Sequence, residues 1–146
     1  MEHDTRLRKI KIVATCEIFM ALGIISFWVS FFSTDMVNIA DKQLKEIYLA
    51  FEHAFPIPDL WLSISLITGG IGLLRVKAFG LLFSLLGGAS LIFLGLVDIS
   101  FNVQQKIYQI GLSEAIMNGF INLLCLGFGI FLIIFVWKSK DILNHH

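Results

Sequence analysis

Four apolar runs separated by polar connections set the plan of this chain. The first covers 12–32. After a polar opening holding Arg6, Arg8, Lys9 and Lys11 come 21 residues with a single charge, Glu17. As a helix this run extends about 31 Å, enough to cross a hydrocarbon core of about 30 Å. Bulky Phe27, Trp28, Phe31 and Phe32 crowd its far end, which favours a retained span over a cleaved signal. The second and third runs, 58–74 and 79–97, form a hairpin about the basic turn Arg75-Val76-Lys77. The second is short at about 25 Å, and Arg75 and Lys77 snorkel to extend it. The third continues as a helix beyond its apolar part toward Tyr108, with Gly111 as its stop. Ser113 then caps the fourth run, 115–137, which ends in Lys138 and Lys140.

The one long polar connection also has a pattern. Residues 35–54 lack Pro and Gly, and Ala40, Leu44, Ile47, Phe51 and Ala54 fall on one helical stripe, with Lys42, Lys45 and Glu46 elsewhere. This predicts an amphipathic helix that lies on a membrane surface or caps the bundle. Pro56 and Pro58 end it and open the next helix, where Asp59 complements the helix dipole.

Composition turns this pattern into a class. Of 146 residues, 57% are hydrophobic and 15% charged, and the mean hydropathy is +0.84. The expected fold is therefore an all-α membrane protein: one four-transmembrane-helix bundle over 1–146, with the amphipathic helix in its first outer loop. A formal charge of zero gives no field for nucleic acid. Cys16 and Cys125 lie inside apolar runs, so free, buried thiols are expected rather than a disulfide. With both termini inside a cell membrane, eight basic residues fall on the cytoplasmic side. Lys42, Lys45 and Lys106 fall outside, as the positive-inside rule prefers. Asp35, Asp41, Glu46, Glu52, Asp59, Asp98 and Glu114 also fall outside.

In lipid, helices associate through small residues and a few polar links. Ser84, Gly88, Leu91, Gly95, Asp98 and Asn102 share one face of the third run. Glu114, Asn118, Asn122, Cys125 and Gly129 share one face of the fourth, and the second offers Ser65, Thr68, Gly69 and Gly72. These faces are expected to meet.

The candidates for chemistry are polar groups that lipid penalises. Glu17 lies about 9 Å into the first span, where a carboxylate is costly unless neutral, paired or in contact with water. It either hydrogen-bonds a neighbouring helix or snorkels, or it exchanges a proton as a cationic substrate binds. At the outer end Glu52, His53, Asp59, Asp98 and Glu114 can converge, with Asn118 one turn below. Carboxylates with one His suit a divalent cation or acid–base work, whereas helix caps and solvated charges account for the same residues. No HExxH, redox CxxC, phosphate-binding GxxxxGK[ST], nucleophile elbow or haem-attachment motif occurs, so no metal or cofactor is expected. An acid in the first of four spans is similar to the small multidrug-resistance transporters. The helical connection at 35–54 departs from their short loops, and their activity is not carried over.

FPIPDLWLSISLITGGIGLLR, GGASLIFLGLVDISFN and the pair Ile107-Tyr108 together resemble a family of small prokaryotic four-span membrane proteins with no assigned activity. The resemblance covers 55–108; it implies a four-helix bundle and supplies no catalytic residue. Three functions stay open. The sequence favours an accessory protein that binds lipid, a membrane partner or a second copy of itself, since no reaction motif is present. A small proton-coupled transporter or channel would use Glu17, with Asp98, Asn118 and Asn122 as further coupling or substrate residues. A membrane enzyme would act on a lipid-like substrate at the outer acidic and His cluster.

Overall fold

A computed structural model describes residues 2–34, 37 and 39–144. Asp35, from the expected outer helix, and the terminal His145 and His146 lie outside the described residues. Among the described residues six α-helices occur in the order α1 (Glu2–Ser33), α2 (Lys42–Glu52), α3 (Pro56–Leu74), α4 (Ala78–Gln104), α5 (Leu112–Lys138) and α6 (Lys140–Asn144). Among the described residues four helical stretches, Asp4–Ser33, Lys42–Leu74, Ala78–Gln104 and Leu112–Lys138, are long and apolar enough to cross a membrane.

The helices outrun the apolar runs that announced them. α1 begins ten residues before its apolar part, because the basic opening residues are good helix formers and no Pro or Gly interrupts them. α2 is shorter than the expected 35–54: Asp41 takes the N-cap, its side chain accepting from the Leu44 amide at 2.8 Å, and this fixes the start at Lys42. α5 starts at Leu112 after extended Gly111, so Ser113 lies in its first turn and is not the cap. α4 stops at Gln104 instead of running on to Tyr108. Lys106 adopts the left-handed conformation (φ 56°), and a 3-10 turn follows at Ile107–Gln109.

The α3–α4 hairpin closes on the expected basic turn. The Lys77 amide donates to the Gly72 carbonyl at 2.9 Å and the Val76 amide to Leu73 at 3.0 Å, with Val76 left-handed (φ 53°). This is a Schellman closure with a β-branched residue where glycine is usual. The helices then approach until backbones touch: a Cβ on Gly69 would lie 2.8 Å from the Ser84 amide nitrogen, and one on Gly80 2.5 Å from the Gly72 carbonyl carbon. On the other side of α3, a Cβ on Gly70 would lie 2.8 Å from the Ala14 carbonyl oxygen of α1.

Packing follows a fixed order. α1 packs on α3, α3 on α4, and α4 on α5, while α1 and α5 are not packed together. The expected small-residue faces do meet: Ser84, Gly88, Leu91, Gly95 and Asn102 of α4 are buried, as are Asn118, Asn122 and Gly129 of α5. A Cβ on Gly88 would sit 3.0 Å from the Gly129 carbonyl oxygen. Polarity is inverted relative to a water-soluble bundle. Glu17, Ser63, Ser65, Ser84, Asn102, Asn118 and Asn122 are buried, and Phe19, Val29, Phe93, Phe120 and Leu123 are exposed. α6, which no apolar run signalled, folds back on α4 and buries Leu143.

Candidate functional site

Because α1 and α5 do not close on one another, the bundle keeps a cleft of about 690 Å³ between them, floored by α3 and α4. Its volume falls within the roughly 300–1,000 Å³ of small-molecule sites. The long walls are apolar: Phe19, Met20, Ile24 and Phe27 from α1 face Met117, Ile121, Leu124 and Phe128 from α5. Several of these, Phe19, Met117, Ile121 and Leu124 among them, are exposed along the open side.

The polar residues gather at the end nearest α2. Glu52, Asp59 and Asp98 come from α2, α3 and α4, and Asn118 and Asn122 come from α5. The three carboxyl groups line the same end of the cleft. Two of them, and both asparagines, are held by hydrogen bonds. Trp28 Nε1–H donates to Asp59 Oδ2 at 2.7 Å, and Asn102 Nδ2 donates to Asp98 Oδ2 at 2.8 Å. Asn118 Nδ2 donates to the Glu114 carbonyl at 2.9 Å, and Asn122 Nδ2 to the Tyr108 hydroxyl at 2.8 Å. The Asn122 Oδ1, in a side chain only 2% exposed, accepts nothing.

α2 roofs this end by aromatic contacts. Phe51 stacks on Phe101 of α4 with ring centroids 3.7 Å apart and planes 3° apart, which turns Tyr48 and Glu52 toward the cleft. The inward face of α2 is therefore Leu44, Tyr48, Phe51 and Glu52. The expected stripe members Ala40, Ile47 and Ala54 are exposed.

Of the expected outer cluster, Glu52, Asp59 and Asp98 converge with Asn118 and Asn122, and two members stand apart. His53 is exposed; its Nδ1 bonds the Leu49 carbonyl at 2.6 Å, and its ring lies against Phe31 and Phe32. Glu114 sits in the first turn of α5 beside Gly111, outside the cleft lining. Among the described residues no three His, Cys, Asp or Glu side chains gather closely enough to hold a metal ion.

Glu17 is 0% exposed and lies beside Ser84, on the face of α1 that packs on α3, not in the cleft lining. Neither carboxyl oxygen has a hydrogen-bond partner. Its neighbour Cys16 points the other way, into the cleft, and is exposed rather than buried; Cys125 lines the opposite wall, and both thiols are free. Trp28 and Tyr108 complete the polar end and were not singled out from sequence. A tryptophan one turn from a span end and a tyrosine in a polar loop are the only signals they leave there.

Comparison with family models, with curated proteins and with solved structures gives no match.

Proposed function

We propose that this chain crosses a cell membrane four times as one bundle, with both termini cytoplasmic, and serves as an accessory protein that holds a lipid-like molecule in the cleft between α1 and α5. The cleft itself carries this reading. Its walls are apolar, it opens between two long helices that face hydrocarbon, and its polar groups are confined to one end. A molecule with an apolar chain and a polar head matches that division. The inverted polarity of the helices supports immersion in lipid, since buried Ser and Asn with exposed Phe and Leu is an arrangement water disfavours. Eight basic residues against three support this orientation, with α2 as the outer roof.

Gly23 offers a direct test. It lines the cleft, and a Cβ there would meet nothing within 4 Å. In Gly23→Phe the ring fills the cleft. Gly127, equally open but outside the cleft, is the control position for Gly127→Phe. Mass spectrometry of the protein purified in mild detergent is expected to show a bound lipid-like molecule in the natural chain and in G127F, and much less in G23F. Equal amounts in all three, or none in any, would contradict the proposal.

A second reading, proton-coupled transport, is favoured by one observation: a fully buried carboxyl with no hydrogen-bond partner at Glu17. Proton-driven flux in proteoliposomes that is lost in Glu17→Gln would support it, and unchanged or absent flux would remove it.

A further inference from the structure

α2 is the least anchored of the helices around the cleft. α1 packs on α3, α3 on α4 and α4 on α5, whereas α2 packs closely on none of the other helices. Aromatic rings hold it instead. Phe51 stacks on Phe101, Tyr48 leans on the same ring with centroids 6.1 Å apart, and the exposed His53 lies against Phe31 and Phe32. Only the turn 53–55 joins α2 to α3, and the Asp41 cap closes its other end. Docked in this way, α2 turns Glu52 into the polar end of the cleft, where the residue is 9% exposed. Asp59 of α3 and Asp98 of α4 line the same end, and among the described residues lining the cavity there is no Lys, Arg or His. Asp59 and Asp98 are fixed on packed helices by Trp28 and Asn102. Of the three acids, only Glu52 sits on a helix that can carry it back to water.

We infer that α2 is a proton-operated lid: with the Glu52 carboxyl neutral it closes the polar end of the cleft, and with the carboxylate charged it swings out about residues 53–55. Charging a carboxyl away from water with no cation beside it is costly, and a helix held by few contacts is where that cost is relieved. The groups facing Glu52 are Tyr48 and His53 of its own segment, Asp59 from α3 and Asp98 from α4. To the same cavity α1 and α5 add only the thiols of Cys16 and Cys125. Burial pushes the Glu52 carboxyl up to about 7; Asp98 and Asp59 add to the rise, and Tyr48 and His53 oppose it. Docked, Glu52 thus holds its proton more tightly than in water. Closure is therefore favoured in acid and is lost as the pH rises from about 4.5 to about 7. The lid regulates the cleft read above as a lipid-like site, and it rests on that reading for what passes beneath α2, not for the motion itself.

The test uses the full chain in phosphatidylcholine nanodiscs, with Cys16→Ser and Cys125→Ser to remove the natural thiols. Nitroxide labels go on Ala50→Cys of α2 and Leu123→Cys of α5, two exposed positions, and pulsed electron resonance gives the distance between them. One distance is expected at about pH 5. A second, displaced population is expected at about pH 8, with the ratio of open to closed rising about tenfold or more between the two. Glu52→Gln keeps the neutral shape and is expected to hold the closed distance at both pH values. Glu46→Gln, on the exposed face of α2, is expected to keep the full pH response. Phe51→Ala removes the ring stack and is expected to show the open population already at the lower pH. Thermal unfolding confirms that each variant is folded, and F51A decides if E52Q is not. A distance that does not change with pH, a response that survives in E52Q, or a closed F51A at both pH values would overturn the lid. The distances are read whether or not the cleft is filled, so a fixed α2 leaves the lipid-like reading standing. A moving α2 over a cleft that retains no lipid upholds the lid and removes that reading.

Discussion

Trp28 and Asp59 join α1 to the first turn of α3 by one hydrogen bond, indole Nε1–H to Oδ2 at 2.7 Å. The bond holds one wall of the cleft against its floor at the polar end, and it places an acid where the helix dipole already favours one. Trp28→Phe is expected to cost about 1–3 kcal/mol, the worth of a hydrogen bond to a charged or desolvated group. Asp59→Asn should cost a similar amount, and the double variant little more than either alone. Unfolding of the four proteins in one detergent gives the cycle, and fully additive losses would show that the pair is not coupled.

Glu17 is buried beside Ser84 of α4, and neither its carboxyl oxygens nor the Ser84 hydroxyl reaches good hydrogen-bond geometry, so the pair is a weak link at most. Glu17→Met keeps the volume and removes the polar group. Stability is expected to be unchanged or higher by about 1–2 kcal/mol, measured by thermal or denaturant unfolding in detergent micelles. A loss of that size would mean that the carboxyl makes a stabilising contact.

The glycines divide into two groups with opposite expectations. Gly69→Ala forces a methyl against the Ser84 backbone and is expected to destabilise by about 1–3 kcal/mol, with α3 and α4 prised apart. Gly127→Ala meets nothing within 4 Å and gains helix propensity, so it should be neutral or stabilising by up to about 1 kcal/mol. Equal effects at both positions would contradict the close backbone approach.

Lys106 ends α4 in the left-handed region while its side chain is exposed. Lys106→Gly should raise stability by about 1 kcal/mol, because glycine adopts that conformation without the Cβ penalty. The same change at Val76 is a poorer test, since Val76 also packs against the core.

Much of the architecture was legible because long apolar helices leave both their period and their length in the sequence. The stripe Ser84, Gly88, Leu91, Gly95, Asp98 and Asn102 could be read from spacing alone, and so could its partner on α5. Helix ends were read less well. Asp41 as N-cap, left-handed Lys106 and extended Gly111 are each decided by one residue's backbone, which an apolar run does not report. α6 was missed because five residues carry too little pattern.

The cleft was not legible at all. Periodicity shows that a helix has an inward face, but not which neighbour it meets, and the cleft exists because α1 meets α3 and not α5. For the same reason the outer acids could be listed but not sorted. Topology brings Glu52, Asp59, Asp98, His53 and Glu114 to one end, and only rotation about each helix axis turns the first three inward and leaves His53 against Phe31 and Phe32. Cys16 and Glu17, adjacent in sequence, face opposite sides of α1 by that same rotation.

The central claim is that the space between α1 and α5 admits an apolar chain from the surrounding lipid. Fluorescence of Trp28 as the sole tryptophan, in bilayers whose acyl chains carry bromine, reports on it most directly. Strong quenching that is relieved in G23F is the result expected. Unquenched emission from Trp28, under conditions where restored Trp61 on the exposed side of α3 is quenched, would show that the cleft is closed to such chains and would contradict the account.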